Sequence, residues 1–256
     1  MSDKVAVDDS FAARIPAALR QAAMDAAAVL QVRRSELVAR LERGEPCGAT
    51  VVAAGSNADL NRWMRDDCVR WRELLSVKPA GFVPQLQISL PQNRRLIAGG
   101  LQMVSLFSIE ATDAESRCLL AGEEVGEYRL GVCPVQMKLI DRRYALLNGP
   151  CENERSSIME VTAPDSLDAA WRYWHAALAA SIPAEDGVPA GLSRLTHRQR
   201  QVVALLTVDT RDDAIAEALE VSVRTVRSDI ADLMEVVGVR SWFAAGIRVK
   251  ELLREA

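Results

Sequence analysis

The sequence predicts an α/β unit followed by an all-α module. Between residues 47 and 182, short β-prone runs interleave with amphipathic helical stretches, the signature of an α/β layer structure. The stretch Pro183-Ala184-Glu185-Asp186-Gly187-Val188-Pro189-Ala190-Gly191 is polar and rich in Pro and Gly, which marks a linker at 183–191. From 192 to 256 the apolar spacing is wholly helical, and residues 1–46 form a separate N-terminal helical segment suited to dimerisation.

Composition bounds the rest. A chain of 256 residues accommodates two modest domains, and 49% hydrophobic with 26% charged residues is ordinary for a globular protein. The formal net charge of −4 excludes a uniformly basic nucleic-acid binder, so any such contact must come from a local patch. The five cysteines are dispersed with no C-x-x-C pair, which fits reduced thiols in the cytoplasm rather than a disulfide framework. The opening Met1 to Ser10 carries Lys4, Asp8 and Asp9 and does not read as a signal peptide. No apolar run approaches the roughly 18–20 residues of a membrane helix. The expectation is a soluble cytoplasmic protein without membrane contact.

Residues 10–43 read as one Ala-rich helix. Ile15, Leu19, Ala22, Ala26 and Val29 recur at 4-3-4-3 spacing, and Leu30, Leu37 and Leu41 continue on a shifted stripe. A dimer coiled coil and a helix packed on its own domain both satisfy this pattern. Gly44-Glu45-Pro46 closes the segment. Thr50-Val51-Val52 is β-prone, and a second helix is expected from Ala58 to Leu75, with Trp63 and Trp71 inward and Arg62, Arg70 and Arg72 solvated or paired with Asp66, Asp67 and Glu73. Lys78-Pro79-Ala80-Gly81 breaks the chain. Leu101 to Ile109 reads as a strand, Ala114 to Ala121 as a helix, and Gly126 to Leu130 as extended chain. Val135 to Ile140 and Arg143 to Leu147 are strands flanking a turn at Asp141-Arg142. Ser157 to Thr162 is a further strand, and Leu167 to Ala180 a helix holding Trp171 and Trp174.

Four helices follow the linker. The first starts after Leu195-Thr196 and buries Val202, Val203, Leu205 and Leu206; the second, capped by Thr210, turns Ile215, Ala216 and Leu219 inward. Glu220-Val221 is the turn, and Ser222 caps a third helix with core positions Val226, Ile230, Leu233 and Val237, ended by Gly238. Ser241 caps a fourth helix through Leu253. Two short helices, a tight turn and a longer helix opening on Ser222, Arg224, Thr225, Arg227 and Ser228 have the helix-turn-helix layout, though a plain four-helix appendage has the same spacing.

The residues Leu195-Thr196 with Arg198, Ile215-Ala216-Glu217-x-Leu219-x-Val221-Ser222, Thr225-Val226-Arg227 and Gly238-Val239-x-Ser241 together resemble the LuxR (GerE) type of helix-turn-helix. The resemblance implies double-stranded DNA as partner, with Thr196, Arg198, Ser222, Arg224, Thr225, Arg227, Ser228 and Arg240 on the DNA side, and dimer pairing. Several positions depart from it. Asp212-Asp213 replaces a common Asn-Lys pair, Asp229 and Asp232 lie on the third helix, Val236 replaces a basic residue, and Glu220 takes the place of a turn glycine. Counting from 192 to 256 gives ten Lys/Arg against ten Asp/Glu, so this module is not basic.

The segment Pro134 to Arg143, followed by Tyr144-Ala145-Leu146-Leu147, resembles the part of phospholipase D-like proteins that carries the H-x-K-x-x-x-x-D motif. Aligned on Asp141, Pro134 stands for the nucleophilic His and Gln136 for the Lys, with Lys138 two residues late. No second such motif is present. His175 and His197 have no partners at metal or triad spacing, so neither catalysis, nor a metal, nor a cofactor is expected. A degenerate unit of this kind before a LuxR-type module resembles a class of actinobacterial regulators. The resemblance implies a non-catalytic sensor or dimerisation domain at 47–182, with Cys133, Gln136 and Lys138 as the place for an unidentified small-molecule ligand. The leading expectation is therefore a homodimeric DNA-binding regulator. The alternatives are a protein-interaction regulator with weakened DNA binding, motivated by the acidic substitutions, and a phosphodiesterase.

Overall fold

The computed structural model describes residues 14–151, 155–207 and 211–254. The expected helix start at residues 10–13 and the expected cap at Thr210 lie outside them. Helix α1 (Ala17–Glu42) precedes a mixed unit of β1 (Ala49–Gly55), α2 (Asn57–Asp67), β2 (Glu73–Lys78), α3 (Val83–Ala98), β3 (Gln102–Ser108), α4 (Ala114–Ala121), β4 (Glu127–Gly131), β5 (Met137–Ile140), β6 (Tyr144–Asn148), β7 (Ser156–Val161), α5 (Pro164–Ala179) and β8 (Ser181–Pro183). Among the described residues four helices follow: α6 (His197–Leu206), α7 (Asp212–Ala218), α8 (Val223–Val236) and α9 (Trp242–Arg254).

The strands form one eight-stranded sheet in the order β1-β7-β6-β5-β2-β3-β4-β8. The pairs β2–β3 and β3–β4 are parallel, and the remaining pairs are antiparallel. Alternation along each strand sends successive side chains to opposite faces. Val77, Leu106, Met137, Leu139, Ala145, Leu147, Met159 and Val161 pack beneath α5 and α1, with Tyr173 and Trp174 of α5 fully buried among them. Leu74, Met103, Phe107, Ile140, Leu146 and Ile158 belong to the other cluster, which runs on through α3 and α4 into the four C-terminal helices.

The core is thus continuous from the sheet into the helical module. Helix α4 meets α6 closely because Gly122 ends it: a Cβ there would fall 2.4 Å from Gln201 Cγ and 2.6 Å from the His197 carbonyl. The carbonyl of Ala121, left open at the end of α4, accepts from Arg200 at 3.4 Å and lies 3.1 Å from His197 Nδ1. Beneath this contact Glu123 is buried; it accepts from Arg94 through two nitrogens at 2.9 and 2.5 Å and from Gln201 at 2.6 Å.

Four expectations change. In α1 the buried residues are Ala23, Ala27, Leu30 and Leu37, whereas Leu19 and Val29 are 36% and 50% exposed. Leu30 and Leu37 lie inside as the second stripe predicts, but in the first stripe Ala23 and Ala27 take the place of Ala22 and Ala26, since with Ala at most positions composition barely separates the faces. This inner face packs on α5 and β1 of the same chain, and Arg34 Nε donates to the Asn148 carbonyl at 2.6 Å. The second helix stops at Asp67, gives one 3-10 turn at Cys68–Arg70, and is followed by β2, because Glu73–Lys78 is a buried central strand. Helix α3, which sequence patterning missed, opens with Pro84 and contains Pro91, and both prolines mask its period. Finally, segment 183–191 is packed: β8 closes the sheet edge on β4, two 3-10 turns follow, and Val188 and Leu192 are buried.

Candidate functional site

The turn between α7 and α8 is built by backbone bonds. Val221 N donates to the Ala216 carbonyl at 2.9 Å and Glu220 N to the Glu217 carbonyl at 3.2 Å, the paired bonds of a Schellman motif. Such a motif places its central residue in the left-handed region, and Glu220 has φ +56°. The same arrangement ends α8: Val239 N bonds Met234 O at 2.9 Å, Gly238 N bonds Glu235 O at 3.2 Å, and Gly238 has φ +74°. Gly238 therefore caps the helix as its sequence position implies.

Ser222 caps α8, its hydroxyl accepting from Thr225 N at 3.1 Å and lying 2.8 Å from Thr225 Oγ1. Val226, Ile230 and Leu233 turn inward against α6 and α9. The opposite face exposes Arg224, Arg227 and Ser228 near the helix N-terminus, with Asp232 and Glu235 further along. Positive side chains and open N–H groups thus coincide at the first turns of α8.

Of the residues expected on the DNA side, the structure brings Ser222, Arg224, Thr225, Arg227 and Ser228 together on this one surface. Thr196 caps α6 in a reciprocal box with Gln199, at 3.3 and 3.0 Å, and its hydroxyl is engaged. Arg198 is bound to Asp229, through Nε at 2.6 Å and Nη2 at 3.0 Å. Its pKa is raised, first by that hydrogen bond, and Glu124 and Asp232 add to the negative field around it. Arg227 is exposed but contacts Asp212 at 2.9 Å. Arg240 is exposed beyond the end of α8. An open groove of about 610 Å³ lies where the start of α7 meets α8, with Arg211, Asp212, Asp213 and Arg227 on its walls.

The residues expected around a ligand separate. Cys133 packs with Val135 and Met137 in the cluster beneath α5, and burial pushes its thiol pKa up. Lys138 stands opposite Ser76 and Leu146 on the other face of the sheet, and Gln136 is exposed. Sequence patterning overlooked Lys78 at the end of β2. Lys138 pairs with Ser76, so Lys78 is its diagonal neighbour on the same face, where Cβ atoms are typically about 7–8 Å apart. Both lysines are half-buried and form no ion pair among the described residues. Lys78 packs over the Phe107 ring at 4.8 Å, and its pKa is pushed down to about 7 by burial first and by the charge of Lys138 second. Burial also lowers the Lys138 pKa, with Cys68 acting in the opposite sense.

The Asp141 carboxylate faces the backbone of a neighbouring strand. It accepts from the backbone N–H groups of Arg72 and Glu73, both at 2.8 Å, and ties the β5–β6 hairpin to the start of β2. Pro134 and Gln136 present neither a nucleophile nor a cation. His175 stacks on Trp171 and His197 lies against Ala121. The described residues contain no group of three or more His, Cys, Asp or Glu placed to hold a metal, and no helix long and apolar enough to cross a membrane.

Comparison with known proteins adds two likenesses. No family model matches the chain. A curated relative, the bialaphos biosynthetic pathway regulatory protein of Streptomyces hygroscopicus, is 27% identical over 118 residues. That match covers 46% of this chain and 46% of the relative, so the chain spans about half the length of the protein it resembles. Among solved structures, phosphatidylserine synthase of Haemophilus influenzae Rd KW20 is 14% identical with a TM-score of 0.36, covering 53% of this chain and 39% of that one.

Proposed function

We propose that this chain is a transcription regulator that binds duplex DNA as a homodimer, with α7 and α8 forming a helix-turn-helix of the LuxR type and α8 as its recognition helix. The observation that carries the reading is the exposed first turns of α8. Arg224, Arg227 and Ser228 stand there beside the helix N-terminus, the end that a recognition helix lays on base edges and phosphates. The likeness to a protein named as a regulator supports a regulatory role. Pro134 and Gln136 in place of the reactive pair support a non-catalytic α/β unit. The unpaired Lys78 and Lys138 support a sensing role for that unit, since a bound anion would offset their charge. The outer face of α1, where Met24 is 48%, Val29 50% and Val32 58% exposed, supports pairing of two copies.

The test is fluorescence anisotropy of the full chain on a random-sequence duplex about three helical turns long, at about 50 and about 200 mM salt. Binding that weakens steeply with salt, and a salt slope that falls by about one unit on Arg224→Ala, are expected. Loss of binding at both salt concentrations would favour the second reading, an interaction module that acts through other proteins. One observation supports that reading: Arg198 and Arg227 already hold acidic partners within the module.

A further inference from the structure

At the end of the sheet where β2 and β3 begin, four arginines from two separate stretches of chain meet around one open groove of about 1020 Å³. Arg70 and Arg72 lead into β2, while Arg142 and Arg143 sit on the β5–β6 hairpin. Gly99 and Gly100, just past the end of α3, form the opposite wall. Two of the arginines have acidic partners: Arg70 contacts Asp67 at 2.6 Å, and Arg142 clasps Glu73 at 3.0 and 3.2 Å. The side chains of Arg72 and Arg143 are exposed and engage no acidic group among the described residues. The Asp141 carboxylate, which also lines the groove, accepts from the backbone of residues 72 and 73. In a chain of net charge −4, this is a local concentration of cations.

Two further features make the groove more than a solvated edge. The hairpin turn holds Asp141 at φ +51° and Arg142 at φ +58°, conformations that cost an ordinary residue about 1 kcal/mol and that glycine adopts freely. The turn thus carries a cation at a position where backbone economy favours glycine. The groove also adjoins the helical module. Arg95, in the last turn of α3 next to the Gly99–Gly100 wall, lies 4.0 Å from Glu220 in the turn that precedes α8. Open, polar and lined by four arginines against the two carboxylates of Glu73 and Asp141, the groove suits a phosphate backbone better than an apolar ligand or a buried protein contact.

We propose that this arginine groove is a second nucleic-acid contact, which takes the phosphate backbone of duplex DNA flanking the segment read by α8. The inference rests on the DNA-binding reading of α8. The groove supplies sequence-independent affinity that the helical module, with equal numbers of acidic and basic residues, lacks. Arg72 and Arg143 provide the new phosphate contacts, and Arg142, anchored on Glu73, shapes the wall between them.

The experiment is a salt titration of the full chain on the same random-sequence duplex, comparing the native protein, Arg72→Gln/Arg143→Gln and Arg224→Ala. Neither groove side chain has a partner to lose, so the double variant should melt at the native temperature. Each lost phosphate contact removes about 0.9 from the slope of log K against log salt, so the double variant should lose about two units. Its affinity at low salt should fall at least tenfold, alike for every sequence tested. An unchanged slope in the double variant, while Arg224→Ala still weakens binding, overturns the groove and leaves the α8 reading standing. Absence of binding by the native protein at low salt overturns both.

Discussion

Arg198 at the start of α6 closes two of its nitrogens on Asp229 of α8, at 2.6 and 3.0 Å, and the Asp229 carboxylate is almost wholly buried. This one pair changes how two residues of the helical module are read. Asp229 is turned into the module rather than toward solvent, so it does not repel a ligand on the outer face of α8. Arg198 spends its charge within the fold. Asp229→Ala should therefore cost about 1–3 kcal/mol of stability, because it removes a charge-assisted bidentate contact and leaves a half-exposed guanidinium. Arg198→Ala should cost as much by stranding the carboxylate. Denaturant unfolding would show both losses. Anisotropy at temperatures where both variants are folded should show DNA affinity changed far less by Arg198→Ala than by Arg224→Ala.

Glu220 occupies a conformation that glycine adopts at no steric cost. Its φ of +56° closes the turn between α7 and α8, and its contact with Arg95 at 4.0 Å is exposed and worth little. Glu220→Gly should raise stability by roughly 0.5–1 kcal/mol, the strain relieved less the extra chain freedom gained on unfolding. Thermal melting would decide. A fall in melting temperature would mean that the ion pair outweighs the backbone strain.

The glutamate at this turn was legible in the sequence because the resemblance located the turn and the residue type is wrong for it. Gly238 and Ser222 were legible for the same reason, since caps are local chemistry. Strands β3 to β7 were also legible, because each is bounded by turn residues and enriched in apolar or branched side chains; β8 was not, since its edge position on β4 comes from pairing alone. Strand β2 was not. Glu73–Lys78 follows a helix without a strong breaker and ends on a lysine, so its central place in the sheet comes from partners on β3 and β5. The site suffered similarly. Register pairs Lys138 with Ser76, and that pairing brings Lys78 near, a relation across sixty residues that no local spacing encodes. The acid partners of Arg198 and Arg227 were named only as departures from a pattern, because α6, α7 and α8 are brought together by tertiary packing.

Glu123 joins the sheet unit to the helical module. It is buried, and it holds Arg94 of α3 on one side and Gln201 of α6 on the other. Arg94 has its pKa raised, chiefly by this hydrogen bond. Glu123→Ala should loosen the contact of α4 with α6 and cost about 2–4 kcal/mol, because a partly buried guanidinium and a buried amide lose their shared acceptor. Hydrogen exchange read by mass spectrometry should show amides in α6 losing protection while those of β5 and β6 keep theirs. Equal protection in both proteins would show that the apolar contacts alone hold the module in place.

Lys78 should impose a pH dependence of known sign. Its folded pKa of about 7 lies below the 10.5 of an ordinary lysine. Between these values the unfolded chain binds a proton that the folded chain has released, so stability rises with pH across that window. Below pH 7 the ammonium is charged in both states, and the cost of burying it is present in full. Lys138, also lowered by burial, adds in the same direction. The buried thiol of Cys118, pushed up to about 12, acts oppositely once unfolded thiols ionise, above about pH 8.5. The rise should therefore be clearest between pH 7 and about pH 8.5. Lys78→Met keeps the apolar stem and the contact with Phe107 while deleting the charge. It should add on the order of 2 kcal/mol at pH 7 and flatten the rise. Denaturant midpoints measured through that range for both proteins would test this. Parallel curves, offset by a constant, would show that Lys78 stays charged in the folded protein.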